Sequence, residues 1–243
     1  MDLKRCLAAL GYEATWYSIL GCAGLAAAFL LCYARKRRFG IPGDDVVNMT
    51  AYAILGSLAG AKLLALACAA PDLIQNWDRI VWNLKTIEIL IGTGFVFYGG
   101  LIGCIIAIRV YCRTYGTDLT ASLEMTAPAI PLFHIFGRIG CYTAGCCGGI
   151  GGFPLQLVEA AINLVIFSVL IMIQNRGAFK GRTIYCYFIM YPVCRFILEF
   201  FRGDPERGFI GPLSVSQWIS LIFLFIGVKN LLPVFHKKHT KIF

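Results

Sequence analysis

The sequence predicts an all-α, polytopic integral membrane protein with about seven transmembrane helices. Three observations carry that prediction. Hydrophobic residues make up 58% of the 243-residue chain and charged residues only 14%, with a mean hydropathy of +0.73; globular domains lie nearer about 45–50% apolar and about 25% charged. Apolar runs of about 20 residues, the length a bilayer requires, recur along the whole chain. The positive charges collect between those runs. The formal net charge of +9 therefore reads as topology and contact with membrane lipids, anionic ones above all, and no nucleic-acid partner is expected. The length suits one membrane-embedded helical domain, residues 1–243, with no separate soluble domain.

The elements follow in order. The N-terminal stretch MDLKRCLAALGYEATW lacks a signal peptide's long apolar region and small-residue cleavage site, so the first helix is expected to stay attached. That helix is predicted over Thr15–Ala34, ended by the basic run Arg35–Arg38, with Pro42 and Gly43 in the loop beyond. The second is predicted over Val46–Ala70, with Gly56 and Gly60 forming a small-xxx-small packing face and Pro71 ending it. In residues 71–93, Trp77 and Trp82 alternate with charged and polar residues, a pattern for a segment lying in the interface. The third span is predicted over Gly94–Tyr111 and the fourth over Leu119–Gly140, the latter kinked by Pro128 and Pro131. The fifth, sixth and seventh are predicted over Leu155–Ile173, Thr183–Phe201 and Leu213–Leu232.

Orientation follows from the basic residues. The side of Arg35, Arg113, Arg182 and the C-terminal tail holds thirteen Lys and Arg, counting Arg109 and Lys229 near the span ends, against six on the other side and three deeper within spans. The positive-inside rule then predicts an outside N-terminus and a cytoplasmic C-terminus. That arrangement places Tyr98-Gly99-Gly100, Arg138 and Arg195 at similar depth in the outer half of the bundle. Such convergence of costly or unusual residues from separate helices marks a functional site.

Two permanent cations, Arg138 and Arg195, near one leaflet boundary suit a phosphate held by two-pronged hydrogen bonds. The alternative is structural pairing with carboxylates: Glu199 shares a face with Arg195 four residues earlier, and Glu159 lies on the neighbouring helix. His134 lies one turn before Arg138 and is the only histidine within a span. It is either a satisfied structural histidine or the bundle's best general base. The segment Gly137–Gly149, GRIGCYTAGCCGG, adds Cys141, Cys146 and Cys147. Their spacing is not that of a zinc site, and adjacent cysteines seldom share an ion, so no metal and no cofactor are expected. Packing or an oxidised pair such as Cys141 with Cys146 is the expected role. Most of the other cysteines lie in apolar runs as small hydrophobes.

These segments resemble, over roughly residues 46–232, the prolipoprotein diacylglyceryl transferases of bacterial inner membranes. FYGGLIG (97–103) stands where the family has a His-Gly-Gly segment. PAIPLFHIFGRIGCYTAGCCGG (128–149) contains the counterpart of the family's Gly-Arg-x-Gly-Asn signature. FPLQLVE (153–159), RFILEFFRGD (195–204) and LSVSQWIS (213–220) match later segments in the same order. The resemblance implies a multi-pass protein of the bacterial plasma membrane. It would move diacylglycerol from phosphatidylglycerol to the lipobox cysteine of a prolipoprotein signal peptide, releasing glycerol phosphate. It implies that Arg138 and Arg195 hold the phosphate and that Gly99, Gly100, Gly137, Gly140, Cys141, Gln156, Glu159, Glu199 and Arg202 line or order the substrate site. Gln217 also matches a polar family position.

The departures fall on polar positions. The family histidine before Gly-Gly is Tyr98, whose ordinary pKa of about 10 makes a poor base. The signature asparagine is Cys141, a second asparagine is Ala144, the histidine before the Pro-x-Gln segment is Phe153, and a second-helix arginine is Lys62. His134 is therefore the expected replacement for the missing base, and Tyr98 stands with it and the two arginines as an expected catalytic residue. A transferase using another lipid donor or acceptor, and a lipid-binding protein without turnover, are the alternatives.

Overall fold

The computed structural model describes residues 16–75, 83–84, 95–203 and 208–239. Among the described residues, eight α-helices carry the fold: α1 (Trp16–Phe39), α2 (Gly43–Gln75), α3 (Phe97–Tyr115), α4 (Leu119–Thr126), α5 (Ala129–Thr143), α6 (Leu155–Asn175), α7 (Thr183–Leu198) and α8 (Val215–His239). Among the described residues, α1, α2, α3, α6, α7 and α8 each contain a stretch long and apolar enough to cross a membrane. Their outward faces are apolar: Leu55, Leu63 and Phe225 are each about two-thirds exposed, an arrangement that calls for surrounding hydrocarbon.

The predicted boundaries shift for identifiable reasons. The basic run Arg35–Arg38 lengthens α1 to Phe39 instead of ending it, since cations favour the negative end of a helix dipole. Gly40, at φ 67°, makes the stop. Pro71 lies inside α2, which runs on to Gln75. The interfacial segment predicted around Trp77 and Trp82 lies outside the described residues. The fourth predicted span is not one kinked helix but two, α4 and α5, separated at Ala127–Pro128. Pro128 and Pro131 each remove a helical donor, and the ladder is interrupted there although Ala127 and Pro128 keep right-handed helical backbone. The sixth span ends in a 3₁₀ turn, Glu199–Phe201. Before α8 comes a short antiparallel pair, β1 (Phe209–Ile210) and β2 (Leu213–Ser214). Ser214 and Gln217 then form a reciprocal capping box: the Gln217 amide donates to Ser214 Oγ at 3.2 Å and the Ser214 amide to Gln217 Oε1 at 2.9 Å. Gln217 thus sets the start of α8.

The predicted glycine face on α2 is a helix crossing. Gly56 and Gly60 lie against Gly99 and Gly103 of α3, backbone to backbone. A Cβ on Gly103 would collide with the Gly56 carbonyl, and one on Gly99 with the Gly60 carbonyl. Gly103→Ala is therefore expected to cost about 1–3 kcal/mol of stability, read as a lower thermal midpoint of the detergent-purified protein. Gly21→Ala in α1, where nothing lies within 4 Å of the added carbon, is expected to leave the midpoint unchanged. Equal midpoints for both variants would show that the crossing yields easily. The remaining helices surround an aromatic core of Tyr98, Tyr187, Phe188, Tyr191 and Phe223, and this core floors the site.

Candidate active site

Four helix ends meet at one level: the start of α3, the end of α5, the start of α6 and the end of α7. Their polar side chains converge on Glu159, which is 2% exposed. Glu159 Oε1 lies 3.0 Å from Arg138 Nη2 and accepts a 3.4 Å hydrogen bond from the Tyr191 hydroxyl. Its Oε2 lies 3.6 Å from Arg195 Nη1. Arg195 Nη2 in turn pairs with Glu199 Oε2 at 2.7 Å, one turn along the same helix. Both arginines are at least nine-tenths buried. A buried guanidinium is tolerated only when paired, and the shared carboxylate satisfies two at once.

His134 belongs to the same cluster. Arg138 Nε donates to His134 Nε2 at 3.2 Å, so Nε2 is an acceptor and the imidazole is neutral in this arrangement. The ring stacks on Phe97, centroids 3.9 Å apart, and its Nδ1 is buried on the side of Asn163 of α6. The nitrogen that a base would use is thus engaged by Arg138. Tyr98 is placed beside the cluster, its ring 5.8 Å from that of Tyr191. Its hydroxyl, however, points to Ser220 Oγ of α8 at 2.6 Å. Ser220 spends its own hydrogen on the Ser216 carbonyl, so Tyr98 is the donor in that pair. Tyr98→Phe is accordingly expected to cost about 1 kcal/mol of stability while lipid transfer stays within the same order of magnitude. A fall of about 100-fold or more, the scale of a lost general base, would make Tyr98 the base instead.

The loop after α5 follows from its glycines. Gly145, at φ 68°, ends the helix. The Gly145 amide donates to the Tyr142 carbonyl at 3.2 Å and the Cys146 amide to the Cys141 carbonyl at 3.1 Å. This pattern is a Schellman cap, which brings the residue after the glycine back onto the last helical turn. Here the residues brought together are Cys146 and Cys141. Cys147 then adopts φ 59°, a left-handed conformation uncommon for a side chain of this type. It turns its sulfur into the same space: the Sγ atoms of Cys141, Cys146 and Cys147 all lie within 4.8 Å of one another. A hydrogen bond from the Cys141 side chain holds the Cys147 thiol below its ordinary pKa against the opposing effect of burial, with Arg138 and Arg202 adding their positive field. Spacing alone set this trio aside, because adjacent cysteines on a regular element point apart.

Three further contacts tie the loop to the charged cluster. Gln156 Nε2 donates to the Cys146 carbonyl at 2.6 Å. Gly203 N donates to the Gly148 carbonyl at 3.0 Å, and Gly149 bridges to Arg202. Of the expected substrate residues, Arg138, Glu159, Glu199, Arg195, Gln156, Cys141 and Arg202 are therefore gathered at one end of the bundle. Gly137 has open space beside it and Gly140 faces Tyr17 of α1, whereas Gly99 and Gly100 face α2 and serve the helix crossing.

The chain was compared with known proteins. The family model for prolipoprotein diacylglyceryl transferase matches residues 5–232, further toward the N-terminus than the quoted motifs reach. The chain is similar to the phosphatidylglycerol–prolipoprotein diacylglyceryl transferase of Clostridium tetani, 32% identical over 238 residues that cover 90% of this chain and 92% of the relative. It is also similar to transferase 2 of Clostridium perfringens, 29% identical over 84% of this chain and 85% of the relative. The Clostridioides difficile enzyme is 28% identical over 90% of each. With a family model spanning nearly the whole sequence and a membrane bundle that assembles the motif residues around Glu159, the chain belongs to the prolipoprotein diacylglyceryl transferase family.

Proposed function

We propose that the protein transfers the diacylglyceryl group of phosphatidylglycerol to the lipobox cysteine thiol of a prolipoprotein signal peptide. It does so in the bacterial inner membrane, with its N-terminus outside, its C-terminus cytoplasmic and the Glu159 cluster in the outer half of the bundle. The observation that carries this reading is a buried guanidinium nitrogen that has an ion pair but no hydrogen bond. Arg195 Nη1 is buried and has no hydrogen-bond partner among the described residues, while Glu159 holds it at ion-pair distance, 3.6 Å. A phosphate oxygen is the acceptor such a group suits.

In the reaction, the acceptor sulfur attacks the glycerol carbon that bears the phosphate. A carbon–sulfur bond forms, the carbon–oxygen bond breaks, and glycerol phosphate leaves with the electron pair. Arg138 and Arg195 stabilise charge as it builds on the leaving phosphate, where fixed donors act most strongly. Glu159 and Glu199 orient them. Arg202 adds a positive field at Glu159 and at the Cys147 sulfur, which favours an anionic headgroup over a neutral one. The test is incubation of the purified protein with phosphatidylglycerol labelled in its acyl chains and a lipobox peptide. Label on the peptide cysteine is the expected result. Label on another acceptor, or tight lipid binding without turnover, would overturn the reading.

A further inference from the structure

We propose that Cys141, Cys146 and Cys147 hold one zinc ion through three thiolates and that the acceptor thiol joins it as the fourth ligand. The argument starts from distances. Zinc–sulfur bonds of about 2.3 Å in a tetrahedron place the sulfurs about 3.8 Å apart. The three Sγ atoms already lie within 4.8 Å of one another. Small side-chain rotations close the difference, and two of the three thiols are not locked in a packed core: Cys146 is exposed and Cys147 half-buried. The Schellman cap at Gly145 and the left-handed Cys147 create the juxtaposition. Left-handed backbone at a non-glycine residue carries a conformational cost that persists where the surroundings enforce it, and such residues gather at ligand sites.

The donor count decides the kind of site. Among the described residues, no histidine or carboxylate joins the three sulfurs. Structural zinc sites close with four protein ligands, whereas three ligands leave a position open for water or substrate. The charge also fits. Three thiolates on zinc carry one net negative charge, and Arg138 and Arg202 lie within electrostatic reach of Cys147.

The chemistry answers a gap in the site. Tyr98 is held by Ser220 and His134 Nε2 by Arg138, so neither group considered as base has a free role. A thiol that coordinates zinc gives up its proton outright, here to solvent at the outer face. The bound sulfur keeps a lone pair for the glycerol carbon of the preceding section, and the zinc is neither oxidised nor reduced. This role rests on the transferase reading. The cysteines that replace the family's asparagine and flank its signature then supply what the missing family histidine does not.

The experiment uses the full chain purified in detergent, reduced and stripped of metal. It is titrated with Zn²⁺ against a chromophoric chelator and, separately, with Co²⁺. One equivalent of zinc and a sulfur-to-cobalt charge-transfer band are expected. Cys146→Ser, at an exposed position, should weaken zinc binding at least roughly tenfold, and the triple serine variant should abolish it. A lipobox peptide should strengthen the charge-transfer band, and the same peptide with serine in place of cysteine should not. Absence of stoichiometric zinc binding, equal binding by the triple variant, a Cys141–Cys146 disulfide as the state extracted from membranes, or a band unmoved by the thiol peptide would each overturn the proposal. The titrations need no lipid and no turnover. A protein that binds zinc and thiol but transfers no lipid therefore counts against the transferase reading and leaves the metal site standing.

Discussion

Glu159→Ala is expected to destabilise the folded bundle by about 3–5 kcal/mol, the cost of stripping the partner from a buried ion pair. Glu159 is one carboxylate serving Arg138 at 3.0 Å, Arg195 at 3.6 Å and the Tyr191 hydroxyl at 3.4 Å. Without it, Arg138 keeps its hydrogen bond to His134, and Arg195 keeps Glu199. Two buried guanidinium groups would then share a space without the carboxylate that pairs them. Glu159→Gln removes the same charge at nearly the same volume, so any stability it recovers relative to alanine measures packing and the remaining acceptor oxygen. The measurement is the thermal midpoint of detergent-purified protein. By the scaling of globular domains, 3 kcal/mol corresponds to a fall on the order of 10 °C. Midpoints within about 2 °C of the parent for both variants would mean that the arginines find other partners, and the hub would be dispensable.

How much of this was legible in the sequence depended on how local the signal was. Arg138 and Arg195 stood out because a charge in an apolar run is costly wherever the run lies. The Gly56 and Gly60 face was readable because its spacing alone defines a helix surface. Glu159 was visible only as one of several carboxylates, since its role depends on which two helices flank α6 at that level. The break between α4 and α5 exceeded the expected kink, because Pro128 and Pro131 act on one turn together. The closeness of all three cysteine sulfurs was not legible, for a specific reason. Spacing rules assume extended or helical backbone, whereas a glycine one position past the helix cap folds the chain back on its last turn. The pattern Cys-x-x-x-Gly-Cys at a helix end, with the glycine in the left-handed position, is the local signal behind the expected nearness of Cys141 and Cys146. Nothing in the sequence foretold the left-handed Cys147.

Arg138→Lys is expected to lower the transfer rate by about 10²–10³-fold, the scale of losing one fixed donor to a developing anion, while leaving the thermal midpoint close to the parent's. The two halves of that expectation have different causes. Stability near Glu159 depends mainly on a positive charge beside a buried carboxylate, and lysine supplies one. Transfer depends on the planar guanidinium. Arg138 already commits Nε to His134 and one Nη2 contact to Glu159. The rest of the fork is what a phosphate would engage, alongside Arg195 Nη1, which has its ion pair with Glu159 but no hydrogen bond among the described residues. An ammonium group is a point donor. Drawn to Glu159, it cannot hold His134 in place and meet the leaving phosphate at the same time. Rates with phosphatidylglycerol and a lipobox peptide, measured beside thermal midpoints, separate the two roles. A variant that keeps its midpoint and loses its rate places Arg138 on the phosphate. A variant that loses its midpoint and keeps a rate within about fivefold would make the pair with Glu159 structural, and the phosphate would then rest on Arg195 and its neighbours.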